Sequence, residues 1–204
     1  MQQLILASSS PYRKELLNRL TQDFSCVSPD IDEKPLPNES ASELVERLAI
    51  AKAQAVAKVH PTALIIGSDQ VCEFINPNTG KTEIAGKPKT HANAIDHLQA
   101  VSGKTVHLRT GLALYNAQNQ TYQHSVETYS VTFRELSKKL IEQYLHNDQP
   151  YDCAGAVKVE SQGIILIEKM HGEDPNTIVG LPLIALTSML ANEKFSLFTK
   201  LEAE

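Results

Sequence analysis

The feature that constrains this chain most is the run Ala63, Leu64, Ile65, Ile66, Gly67. It is apolar without alternation, so as a strand it must be covered on both faces, and that calls for an α/β arrangement with layers above and below a sheet. Ser68 and Asp69 follow, and Val71 to Ile75 then resumes a strand pattern. A carboxylate at the end of a buried strand needs hydrogen bonds, a cation or a metal to compensate it. Strand ends are also where α/β sheets present ligand-handling residues. The competing role, a helix or turn cap, has no obvious helix start to serve.

The N-terminal stretch Leu4 to Leu17 reads as a second strand, a loop of three serines and a helix start. Ser10 suits the N-cap and Pro11 the first helical position, where its missing N–H costs nothing. Arg13 and Lys14 then put positive charge at the positive end of the helix dipole, a conflict that an external anion would remove. Either a phosphate-bearing ligand sits there, or this is a capped surface helix whose basic residues face solvent. After a short strand at Phe24 to Val27 comes the acidic loop containing Asp30, Asp32 and Glu33. Such a loop is a solvated turn or, beside phosphates, a set of hard oxygen ligands for a divalent metal.

Ser40 to Val59 has a capping box at Ser40 and Glu43 and an apolar stripe through Leu44, Val45, Leu48, Ala51, Ala55, Val56 and Val59. Lys52 lies beside that stripe, placed either to snorkel at the rim of a core or to reach a cleft lined by the helix. Asn76 to Glu83 reads as an exposed hairpin tip, and Gly86, Lys87 and Pro88 as a turn bearing a lysine ahead of a helix from about Thr90 to Gly103. Two long antiparallel strands follow, Lys104 to Tyr115 and Gln120 to Arg134, then a helix capped by Ser137. In the last third, Lys158 and Glu160 share a face if their segment is extended. Gly163 to Lys169 reads as another buried strand, and Pro182 to Leu190 as a helix.

Strands and helices interleave with no linker, repeat or break in composition, which predicts one α/β unit over residues 1–204, with room for two lobes. A hydrophobic content of 42% is ample for its core. The net charge of -5 opposes nonspecific binding of a nucleic acid polymer. No apolar run is long enough to span a membrane and no export leader is evident, so a cytoplasmic protein is expected. Cys26, Cys72 and Cys153 are odd in number and form no C-x-x-C pair. They read as small buried hydrophobes, not a disulfide framework or zinc site. The seven histidines show no H-E-x-x-H spacing.

Taken in order, LILASSSPYRKELL, DEKP, the helix with Lys52, IIGSDQV, GKP, CAGAVKVES and NTIVGLP resemble the Maf-like nucleotide pyrophosphatases from Leu4 to about Leu190. The resemblance implies a Maf/ITPase-like mixed sheet with flanking helices, two lobes around a central cleft, and often a homodimer. It further implies a cytoplasmic enzyme that cleaves a nucleoside triphosphate between the α and β phosphates with a divalent metal cation, magnesium or manganese. Carried over residue by residue, Asp69 falls on the proton acceptor, Ser8, Ser10 and Arg13 on the phosphate-binding loop, Glu33 on the acidic loop, and Lys52 and Lys87 on basic cleft residues. Such residue types suit the reaction, since a polyanionic substrate needs its charge neutralised and its leaving group stabilised. Glu33, together with Asp69, is the first choice as metal ligand, with Asp30 and Asp32 as alternatives.

Substrate choice turns on Tyr12, Gln70 and Glu160. The branch acting on dTTP and UTP has arginine, threonine and glutamine at those places. An aromatic residue, SDQ and a glutamate resemble instead the branch acting on 7-methyl-GTP, although that branch usually has tryptophan for Tyr12 and SFKSEG for AVKVES. A 7-methylguanine ring is cationic and is attracted to an aromatic face. Glu160 could accept from guanine N1–H and the 2-amino group, which thymine and uracil cannot match. The rival readings are a dTTP/UTP pyrophosphatase of the same family, a nucleotide-binding regulator without turnover, and a serine hydrolase using Ser8, Ser9 or Ser10. No G-x-S-x-G elbow supports the last.

Overall fold

A computed structural model describes residues 2–77 and 79–198. In chain order the elements are β1 (Leu4–Leu6), α1 (Pro11–Asn18), β2 (Ser25–Cys26), α2 (Ala41–Ala57), β3 (Leu64–Ile75), β4 (Thr82–Ala85), α3 (His91–Val101), β5 (Thr105–Asn116), β6 (Thr121–Phe133), α4 (Lys138–Asp148), β7 (Ile167–His171) and α5 (Leu183–Asn192). Short 3-10 turns occupy Ala154–Ala156, Gln162–Leu166 and Pro175–Val179. The strands form one mixed sheet in the order β2-β1-β3-β5-β6-β7, with β4 also pairing with β3. β1 is parallel to β2 and β3, and the other pairings are antiparallel. This is the mixed α/β architecture that the interleaved patterns predict.

The local signals act as expected. Ser10 caps α1 by accepting from the Arg13 N–H, with Pro11 at the first position. Both halves of the Ser40 and Glu43 capping box form on α2, and Thr90 and Ser137 cap α3 and α4. Ile65 and Ile66 of β3 are fully buried, as a strand covered on both faces must be. The helices divide the apolar surface into separate clusters. Leu4, Leu6, Leu17, Leu112, Leu114 and Leu186 pack around α1 and α5, whereas Phe133, Leu98, Ile141 and Leu145 pack around α3 and α4 at the other end of the long strands.

α2 lies unusually close to the sheet. A Cβ on Gly67 of β3 would overlap the Ala49 carbonyl oxygen, and one on Gly111 of β5 would overlap that of Val45. Two glycines at neighbouring strand positions thus let the helix backbone rest on the sheet backbone.

Several sequence expectations are revised. β3 does not end at Ser68 and Asp69 but runs through them as one twelve-residue strand. Gly163 to Lys169 is not a buried strand. Its first part is a 3-10 turn, and β7 begins at Ile167 as a sheet-edge strand whose only buried residue is Ile167. The 151–161 segment is not extended either. The Lys158 N–H donates to the Tyr144 hydroxyl and the Ser161 N–H to the Lys158 carbonyl, so the chain turns and forms no ladder. Finally, Cys26 is exposed and Cys153 partly buried, leaving Cys72 alone as the buried cysteine, and none is paired. The helix expected to reach Val59 ends at Ala57, and Val59 is exposed.

Candidate active site

β3 pairs with β5 along one edge for most of its length, but its other edge changes partner. β1 pairs with it from Leu64 to Ile66, and β4 from Cys72 to Ile75. Among the described residues no strand pairs with 67–71 on that side, and the cleft opens at this gap. Alternation along β3 sends its side chains to both faces of the sheet. Asp69 follows Gly67 onto the face covered by α2, while Ser68 and Gln70 point to the other, beneath the 175–180 segment and α1.

On the α2 face, Lys52 falls inside the buried stripe between Leu48 and Val56, not at its rim. Its Nζ lies 2.7 Å from Asp69 Oδ1 and 2.9 Å from Glu33 Oε1, and the Lys52 side chain is only 7% exposed. A buried ammonium needs such partners, and removing either carboxylate would leave it undercompensated. Among the described residues the second Asp69 oxygen takes no hydrogen bond and is left to the cleft. Glu33, 56% exposed, closes the arrangement from the acidic loop.

On the opposite face, Arg13 Nε donates to the Gly180 carbonyl at 2.8 Å, and the Ser68 hydroxyl donates to the same oxygen at 2.8 Å. Burial holds the Arg13 guanidinium below its usual value while the fields of Asp69 and Glu33 raise it, and an arginine stays protonated throughout. Gln70 Nε2 donates to Thr110 Oγ1 and to the Thr177 carbonyl at 2.8 and 2.7 Å, so its amide nitrogen is committed to the fold. Ser8 Oγ accepts from the Ser10 N–H, and Ser10 Oγ from that of Arg13. Among the described residues no histidine bonds to Ser8, Ser9 or Ser10, as a serine nucleophile would require.

The cleft, of about 540 Å³, brings together Ser8, Ser10, Arg13, Glu33, Lys52, Asp69, Gln70 and Lys87. Asp32 lines it as well, whereas Asp30 does not. A narrower compartment of about 60 Å³ shares Ser10, Arg13, Gln70 and Lys87 with it and adds Tyr12 and Glu160. Ser8, Ser10, Tyr12, Arg13, Glu33, Lys52, Asp69, Gln70, Lys87 and Glu160 therefore line two spaces that share residues, whereas Asp30 and Lys14 line neither. Lys158 and Glu160 part company: Glu160 lines the compartment, while Lys158 Nζ donates to the Asp148 carbonyl. A cavity of about 580 Å³ beside α4, lined by Leu140, Tyr144 and Ile165, holds none of these residues.

Several lining residues escape sequence reading. Lys34 and Lys89 add positive charge to the cleft, and Lys89 does so from a backbone φ of 65°. Asp152 and Cys153 line the narrow compartment, where the Tyr12 hydroxyl donates to Asp152 Oδ1 at 3.4 Å. Burial, reinforced by Cys153 and Asp152, raises the Tyr12 phenol above its ordinary value, so it stays a protonated donor. The Cys153 thiol is pushed up to about 12, chiefly by burial and then by Asp152, which rules it out as a thiolate nucleophile near neutrality. The only available signal was adjacency: Asp152 and Cys153 precede the AGA stretch.

A magnesium-like ion would find two oxygen donors here, Glu33 and Asp69, with the Lys52 ammonium between them. Among the described residues no group of three or more His, Cys, Asp or Glu could hold a metal unaided. Two carboxylates suit a hard cation but do not form a protein-only cage, so such an ion would need further oxygens from outside the protein.

The chain is similar to known proteins in sequence and in fold. The chain is 50% identical over 187 residues, 92% of its length and 91% of the relative's, to a 7-methyl-GTP pyrophosphatase of Nitrosococcus oceani. In fold it is similar to the Ham1 protein of Staphylococcus aureus, at a TM-score of 0.54 and 13% identity over 94% of this chain and 100% of that one. It is likewise similar to a HAM1 protein from Coxiella burnetii, at a TM-score of 0.53 and 16% identity over the same shares. The model of the Maf-like proteins matches residues 3–193, and the chain belongs to that family.

Proposed function

We propose that this protein is a nucleoside triphosphate pyrophosphatase that converts 7-methyl-GTP to 7-methyl-GMP and pyrophosphate. The observation that carries hydrolysis is Asp69, held at the sheet gap by a buried lysine with one oxygen left to a cleft lined by Arg13 and Lys87. A protein that only bound phosphates would gain nothing from a carboxylate among them.

In this reading Arg13, Lys87 and the Ser8 and Ser10 loop grip the triphosphate, whose charge they offset. Asp69 orients a water and takes its proton as the water oxygen bonds to the α phosphorus. The α–β bridging bond breaks, and its electron pair leaves with pyrophosphate. Lys52 balances the charge of Asp69 and keeps it aimed. A magnesium or manganese ion shared by Glu33, Asp69 and the phosphates would neutralise charge and acidify the water.

The methylated base is supported by Tyr12, Gln70 and Glu160 sharing the narrow compartment and by the name of the relative from Nitrosococcus oceani. The test is pyrophosphate release from 7-methyl-GTP, GTP, dTTP, UTP and CTP with magnesium or manganese. Highest kcat/KM on 7-methyl-GTP is expected. Preference for dTTP or UTP would point to the other branch, and tight binding with no turnover to a regulator.

A further inference from the structure

Charge is unevenly distributed along the narrow compartment. Where it meets the cleft stand Arg13 and Lys87, the phosphate-gripping cations. The lining it does not share with the cleft includes the carboxylates Glu160 and Asp152, and Asp152 accepts from the Tyr12 hydroxyl. One further charge bears on this lining. Lys158 Nζ lies 5.8 Å from the centre of the Tyr12 ring and 4.0 Å from Asp152 Oδ1, the outer limit of an ion pair. Its firmer partner is neutral, the Asp148 carbonyl at 3.0 Å. The Asp152 side chain is 54% exposed, so its charge is only loosely answered by Lys158.

We infer that Asp152 is a specificity-determining residue that selects nucleotides whose base carries a fixed positive charge, with Lys158 as the opposing charge that limits the selection. This rests on the substrate reading above. Asp152 lies at the hydroxyl edge of the Tyr12 ring and lines the same compartment as Glu160, so a cationic purine stacked on Tyr12 meets the field of both carboxylates whether or not the 3.4 Å hydroxyl contact is made. A neutral purine of the same shape gains hydrogen bonds to its edge from Glu160 but nothing from Asp152. Lys158, near the same ring, repels a cationic base and competes for its aromatic partner. The two residues therefore bear on preference with opposite signs, whereas a merely structural role for the pair would give both losses the same sign.

The test is calorimetric binding of 7-methyl-GMP and GMP to the intact chain. The wild type is expected to prefer 7-methyl-GMP. Asp152→Asn should cut that preference about fivefold, the scale of a partly exposed charge pair, without changing GMP affinity. Lys158→Met should raise the preference, and Tyr12→Phe, which keeps the ring but loses the hydroxyl, should largely retain it. An unchanged ratio in Asp152→Asn, a parallel fall for both ligands, or a Tyr12→Phe profile matching that of Asp152→Asn would each overturn the inference. Those results would leave the substrate reading standing if the wild type still prefers the methylated ligand. A wild type that binds both equally overturns the two together.

Discussion

Asp69 shows how much one side chain depends on its neighbours. Alone it is a buried carboxylate with a desolvation problem, and the 2.7 Å contact with Lys52 solves that problem while leaving one oxygen for chemistry. Asp69→Asn keeps the shape and removes the proton acceptor. Turnover of the preferred triphosphate should fall by about 10²- to 10⁴-fold while 7-methyl-GMP binding survives, as measured by pyrophosphate release and calorimetry. Activity within a few-fold of wild type would remove Asp69 as the base. At this scale Asp69, Arg13 and the Ser10 cap were legible from residue type and spacing. Asp152 was not, because its relevance depends on Tyr12, 140 residues earlier in the chain.

The decisive element is α2. Its capping box and apolar stripe were plain in the sequence, but the place of Lys52 within that stripe was not, because a lysine at helical spacing looks the same at a rim as in a core. The approach of α2 to the sheet at Gly67 and Gly111 draws Lys52 down onto Asp69. Gly111→Ala would place a methyl group against the Val45 carbonyl and lift the helix. Stability should drop by about 1–3 kcal/mol by denaturant titration, the usual cost of overpacking. Turnover should fall as well, although no catalytic group has changed. Full activity in a destabilised Gly111→Ala would show that the helix height does not set the Lys52 position. Gly163 to Lys169 misled the sequence reading for the opposite reason. Its apolar run suits a buried strand, but Gln162–Leu166 turns as a 3-10 segment and pairing starts only at Ile167.

Across the whole molecule, β3 and β5 run through both apolar regions, the one around α1 and α5 and the one around α3 and α4. Neither region can lose its strands without the other, so unfolding should occur in one cooperative step, with calorimetric and van't Hoff enthalpies equal. Two resolved transitions would instead mean two independently stable lobes. The site belongs to this scale. Asp69 with Lys52 and Glu33 lies on one face of β3, and Arg13 with Gln70 on the other. They share a cleft because β1 ends at Leu6 and β4 reaches back along β3 only as far as Cys72. By itself the sequence determined the α/β class, the caps and the buried central strand, since these follow from local periodicity and residue chemistry, while the resemblance to the Maf-like family pointed to most of the cleft residues but not to Lys34, Lys89 or Asp152. Only the tertiary structure decided that the strand continues through Asp69, that its free edge is the opening, and which charges meet around Tyr12. Those depend on strand pairing and side-chain packing between segments far apart in the chain, and no local pattern encodes them.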